Sequence, residues 1–112
     1  MKMNEYQQLA MRTAANDSKP HFDLMHAALG LSGEAGEFCD AVKKAVIYKR
    51  PLDIKNLAEE VGDVLWYCAL AAYALGITLD EIATDNIDKL RQRYPEKFTS
   101  ELSEARLDKH GA

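Results

Sequence analysis

Residues 58–76 read AEEVGDVLWYCALAAYALG, and from Val64 to Thr78 the chain carries no charge. The stretch lacks the alternation of a half-buried strand. Instead Leu57, Val61, Val64, Cys68, Ala72 and Leu75 recur at steps of three and four, the spacing of one helical face. Asp53 supplies an N-cap and Gly76 a C-cap, so a helix is predicted between them. Its second half is apolar on the opposite side too, through Trp66, Leu70 and Tyr73. A helix that is apolar all round is buried all round. A few short helices do not enclose one member, so this second face is expected to pack on another copy of the chain, giving a homodimer or a tetramer.

Working outward, the same periodicity runs through the upstream segment. Leu24, Ala28, Leu31, Ala35, Phe38, Val42 and Val46 form a stripe, predicting a helix from His21 or Phe22 to about Tyr48. The sequence KRPLD then breaks it. A first helix is expected over Asn4 to Asn16, with Asn4 and Gln7 as a capping box, and Pro20 forces Lys19 out of helical conformation. A last helix starts at Thr78, capped with Glu81, and stops at Pro95. The reading is all-α: a four- to five-helix bundle-forming protomer that oligomerises through helix faces. One domain is expected over residues 1–112, with its core at about 4–98 and a C-terminal tail at 99–112.

Composition narrows the function classes. At 47% hydrophobic and 29% charged the chain is globular rather than disordered material. A net charge of -4 with no basic run offers no footprint for nucleic acid. The opening MKMNEYQQLA has no apolar signal core, and the uncharged run is shorter than the about 20 residues a membrane span needs. A cytoplasmic protein without membrane or nucleic-acid partners is expected. Cys39 and Cys68 form no CxxC pattern and read as reduced thiols.

Two acidic pairs stand beside these apolar segments. Glu34 and Glu37 lie in GLSGEAGEFCD, residues 30–40, and Glu60 and Asp63 have the same spacing in the uncharged helix's first half. Each pair shares a helix face, expected roughly 80° to one side of its stripe. If the two helices form an antiparallel hairpin, four carboxylates face one another along one seam. Such a set repels itself unless a cation sits among it, and an all-oxygen set suits Mg²⁺ or Mn²⁺. Gly30, Gly33 and Gly36 cost about 1 kcal/mol each in helix propensity and would let a helix or ligand approach closely. A solvated acidic face is the plainer alternative. Glu59, opposite the stripe, reads as a surface or interface acid, and Asp40 stays an open neighbour. A di-iron bundle would need Glu-x-x-His, but Asp40 and Asp63 follow Glu37 and Glu60 at that step, and His26 lies well upstream.

Glu34-x-x-Glu37 followed by Glu60-x-x-Asp63 resembles the signature of the MazG-like all-α nucleoside triphosphate pyrophosphohydrolases. GEAGEFCDAVKK, LAEEVGDVLWYCA and NIDKLRQRYPEKF agree with that family in order, over about Tyr6 to Phe98. Gly33 departs from it, standing where the motif's first glutamate would be. The resemblance implies Mg²⁺-dependent hydrolysis of a nucleoside or deoxynucleoside triphosphate to the monophosphate and pyrophosphate, in nucleotide-pool control. It makes Glu34, Glu37, Glu60 and Asp63 the metal ligands, with Glu37, or else Glu34, taking the proton from water. It implies that Asn86, Lys89 and Arg93, on one edge of the last helix, contact substrate phosphates. Phosphoribosyl-ATP pyrophosphohydrolases and all-α dUTP or dCTP hydrolases share this logic. A non-catalytic helical dimerisation module is the alternative from another class. Trp66, Tyr67 and Tyr73 are candidates to stack on a base, with Tyr6 and Gln7 beside them, but aromatics at helical spacing read first as core.

Overall fold

The computed structural model describes residues 1–14, 19–94 and 101. Among them are four helices and no strand: α1 (Met3–Met11), α2 (Pro20–Ile47), α3 (Ile54–Leu75) and α4 (Leu79–Arg93). The expected all-α class is the one observed. The chain packs as two compact units, Met1–Leu79 and Asp80–Ala112. The tail expected at 99–112 lies outside the described residues except for residue 101.

In the first unit the long helices α2 and α3 form an antiparallel hairpin. Residues later in α3 meet residues earlier in α2: Glu60 meets Glu34, while Tyr67 meets Gly30 and His26. The local signals act as read. Lys19 is extended and Pro20 opens α2. The Asp53 carboxylate accepts the Asn56 N–H at 3.1 Å and starts α3. Gly76, with φ 73°, ends it, and Ile77 N–H donates back to Ala72 O at 3.0 Å. The same left-handed closure ends α2, where Arg50 N–H donates to Ala45 O at 2.9 Å, but there the residue with φ 53° is Lys49.

Three expectations are corrected. Helix α1 ends at Met11, and the Asn4–Gln7 capping box does not form. Lys2 is the N-cap and makes no side-chain cap bond. Gln7 is buried and spent elsewhere: its Nε2 donates to Ile77 O at 3.0 Å and its Oε1 accepts the Leu79 N–H at 2.7 Å. The turn after α3 has backbone groups that need partners, and Gln7 satisfies two of them. On α2 the buried side keeps Leu24, Leu31, Phe38 and Val42 of the expected stripe, half-buried, but widens toward one flank and loses the rest. Ala28, Ala35 and Val46 are exposed, while Ala27, Glu34, Ala41 and Ala45 turn inward. At Gly30 the bare backbone takes the Tyr67 ring of α3 directly.

The apolar second face of α3 is covered in part from within the chain. Ala10, Ala69, Ala72 and Leu79 form the core cluster, with Tyr6, Met11, Trp66 and Cys68 packed against it. The Trp66 Nε1–H donates to Ala10 O at 3.3 Å and Thr13 Oγ1 at 2.9 Å. Helix α1 therefore takes the place expected of a second copy at Trp66. Leu70 is buried, whereas Tyr73 remains half exposed.

Candidate active site

The α2–α3 hairpin brings three of the four expected acids together. Carboxylate oxygens of Glu34, Glu37 and Glu60 all lie within 4.8 Å of one another. Glu34 and Glu60 are half-buried and Glu37 is exposed. Asp63 is outside this group and exposed, yet close enough for its charge to act on Glu34 and on the Tyr6 phenol. The sequence reading had Glu34 flanking its stripe. That flank lies on the α2–α3 seam, where Glu34 is half-buried and meets Glu60.

The electrostatics follow from the position. Among the described residues, Glu34 Oε2 and Glu60 Oε2 are buried without a donor. Burial, then a proton shared with Glu60, then the charge of Glu37 push the Glu34 carboxyl up to about 7. A proton on Glu34 turns a repulsive contact into a hydrogen bond, which is one way to relieve the cluster; a cation is the other. The donor set fits a hard divalent cation: it is all oxygen, and two of its oxygens are unsatisfied. The group is three glutamates, without histidine or cysteine.

The neighbours left open by the sequence are now assigned. Asp40 pairs with Lys44 at 2.8 Å and Lys43 at 3.6 Å. The Lys44 ammonium holds the Asp40 carboxyl below its ordinary value. Asp40 and these two lysines are therefore engaged with one another on the surface. Glu59 is exposed and outside the cluster. Cys39 and Cys68 are free thiols, and burial pushes Cys68 up. In the second unit, Asn86 and Lys89 line one hollow with Ile82 and Asp85, and Arg91 pairs with Asp88 at 3.7 Å.

The sequence reading left the seat of Tyr67 unidentified. A methyl group at Gly30 would overlap the Tyr67 ring at Cε1, Cδ1 and Cζ, so the ring lies directly on the α2 backbone there. Gly30 precedes Glu34 by one turn and Tyr67 follows Asp63 by one turn, which was the available signal. Gly33 and Gly36 have open space beside them, so close approach within the chain explains only the first of the three glycines.

The model of the MazG nucleotide pyrophosphohydrolase domain matches residues 22–98. The chain belongs to this family, whose fold is all-α. It is also similar to the Gene 37 protein of Mycobacterium phage L5, 36% identical over 103 residues covering 83% of this chain and 89% of the relative. No solved structure matches it significantly. The family match covers both acidic pairs and α4, and α1 lies ahead of it. No single helix among the described residues is long and apolar enough to cross a membrane.

Proposed function

We propose that this protein hydrolyses nucleoside or deoxynucleoside triphosphates to the monophosphate and pyrophosphate with Mg²⁺, Mn²⁺ being a substitute, and serves nucleotide-pool sanitation or control. One observation carries the reading: Glu34, Glu37 and Glu60 converge with two buried oxygens unsatisfied, in a domain of the pyrophosphohydrolase family. Glu34, Glu37 and Glu60 would hold the ion, with Asp63 as the fourth acid, close enough to influence Glu34. When bound, a divalent cation supplies charge neutralisation for phosphate oxygens and makes water a stronger nucleophile at neutral pH.

The chain's own groups supply the rest. Glu37, the exposed member of the trio, takes the proton from the attacking water. Half-buried Glu34 and Glu60 fix the cluster from opposite helices and keep bulk water from one side of it. Asn86, Lys89 and Arg93 contribute hydrogen bonds and positive charge to the phosphates, lysine as a point charge and arginine as a fork. Self-association as a dimer or tetramer accounts for the apolar side chains left in water, among them Phe22, Met25 and Leu29 on one side of α2.

The test is a panel of nucleoside and deoxynucleoside triphosphates assayed for pyrophosphate and monophosphate, with Mg²⁺, with Mn²⁺ and with chelator. Metal-dependent release of both products, abolished in Glu60→Gln with the helical fold retained, is expected. Metal-independent or absent release across the panel refutes the proposal and leaves a helical association module.

A further inference from the structure

The closed end of the α2–α3 hairpin differs from the rest of the chain in both charge and hydropathy. Residues 43–55 hold five of the chain's fourteen lysines and arginines and one of its eighteen acids, a local charge of +4 on a chain of net -4. The same end leaves Val46, Ile47, Tyr48, Leu52 and Ile54 between 49% and 69% exposed. Val46 and Ile47 belong to the last turn of α2 and Ile54 opens α3, so these side chains stand together at one tip. Lys43 and Lys44 share Asp40, but among the described residues Lys49, Arg50 and Lys55 make no ion pair. Stability does not explain this set. Lys49 takes φ 53°, where glycine would sit without strain. Lys55 lies in the first turn of α3, where the helix dipole disfavours a cation. Solvent-facing isoleucines gain nothing from water.

We infer that this tip is a peripheral docking surface for an anionic lipid bilayer: its basic side chains meet the headgroup phosphates and its aliphatic side chains enter the acyl boundary beneath them. Charge complementarity asks for a negative occupant, and the apolar side chains ask that it also hold an oily layer. A nucleic acid meets the first demand, but its phosphates offer isoleucine nothing to be buried against. Two tips of this chain facing each other would oppose +4 with +4, and the cores of protein interfaces are depleted of charge. An anionic bilayer presents both layers in the required order. The Arg50 guanidinium lies 5.4 Å from the centre of the Tyr48 ring, a pairing suited to the boundary where one end is wet and the other apolar. The acidic remainder of the chain is turned away from such a surface by like charge, which sets the orientation. The sequence reading expected no membrane partner because the chain has no signal core and no run long enough to span; docking at a surface needs neither. Docking of the tip is independent of hydrolysis at the carboxylates.

The test is sedimentation of the full chain with vesicles of phosphatidylcholine alone and of phosphatidylcholine mixed with phosphatidylglycerol, at low and at raised salt. Binding is expected on the mixed vesicles only, and weaker as salt rises. Lys49→Gln/Lys55→Gln removes two cations that each bring roughly fivefold in affinity, so it should bind about twenty-five-fold more weakly. Ile47→Ser/Ile54→Ser keeps every charge and should lose about tenfold or more. All four side chains are exposed, and circular dichroism checks that both variants fold as the wild type does. Failure of the wild type to bind the mixed vesicles overturns the inference. So does binding that the isoleucine pair leaves unchanged, which is adsorption by charge alone. Without vesicle binding, an oligomer that only the isoleucine variant dissociates in gel filtration assigns the tip to a second copy. Retention on duplex DNA that needs the lysines and not the isoleucines assigns it to nucleic acid; either result overturns the bilayer.

Discussion

Gly30→Ala and Gly33→Ala differ by three residues on one helix, and the structure gives them opposite signs. In each case alanine gains about 1 kcal/mol of helix propensity over glycine. At Gly33 the new methyl enters open space, so that gain is kept. At Gly30 it overlaps three atoms of the Tyr67 ring, so the ring must leave its seat. Overpacking of this kind costs about 1–3 kcal/mol, and the lost edge contacts with Trp66 and His26 add about 0.5–1.5 kcal/mol apiece. Gly30→Ala is therefore expected to be net destabilising by about 1–5 kcal/mol, and the two variants to differ by about 2–6 kcal/mol. Urea denaturation monitored by helical circular dichroism measures both. A double-mutant cycle isolates the cause: in a Tyr67→Leu background the smaller side chain vacates the notch, and most of the Gly30→Ala penalty should vanish. Equal stability of Gly30→Ala and Gly33→Ala, or a penalty that survives Tyr67→Leu, refutes the seating of the ring.

Metal-free protein should show the repulsion inside the carboxylate cluster through pH. Glu34 holds its proton up to about 7 in the fold against an ordinary 4.5, so its ionisation costs nothing below 4.5, and the penalty is complete above about 7. In chelator, Glu34→Gln should therefore melt above the wild type at pH 8 and the gap should close by pH 5; parallel curves would mean the acids do not repel. Millimolar Mg²⁺ should raise the wild-type melting temperature at pH 8 and leave Glu34→Gln/Glu60→Gln unmoved, by mass action at the site. Gln7→Ala leaves a buried Leu79 N–H and the Ile77 carbonyl without partners, which predicts a loss of about 2–4 kcal/mol in chemical denaturation. Lys49→Gly relieves a left-handed backbone and should add about 0.5–1 kcal/mol, read in the same titration.

Local signals were the readable part of this fold. Asp53, Gly76 and Pro20 act within their own turn of chain, so their neighbours in sequence suffice to interpret them. Gln7 failed the same treatment because its partners, Ile77 and Leu79, are about seventy positions away. The face of α2 failed for a related reason. Alanines stand on both sides, so hydropathy cannot choose between Ala28 and Ala35, which are exposed, and Ala27, Ala41 and Ala45, which turn inward. The close contact is made at Gly30, where the Tyr67 ring lies on bare backbone. At the site, both acidic pairs and their meeting across the α2–α3 seam were legible from spacing; that Glu34 loses water there, and that Asp63 stands outside the close group, was not.

That loss of water bears on how the site works. A glutamate fully in contact with water would have little reason to favour a cation over water. An inward Glu34 opposite Glu60 has lost part of its hydration and gained a neighbour of like charge, with an oxygen of each left without a donor. The hairpin imposes this conflict through the close packing of α2 on α3, with the bare backbone of Gly30 beneath the Tyr67 ring. The close approach that seats Tyr67 therefore also crowds the carboxylates one turn away. Moving the helices apart would relieve the acids and unseat the ring together, so affinity for a divalent ion and the position of Tyr67 should fall in step. Gly30→Ala tests this without touching a carboxylate. Calorimetric Mg²⁺ titration should show weaker binding in that variant than in Gly33→Ala, and unchanged affinity would separate the two features that the packing of α2 on α3 joins.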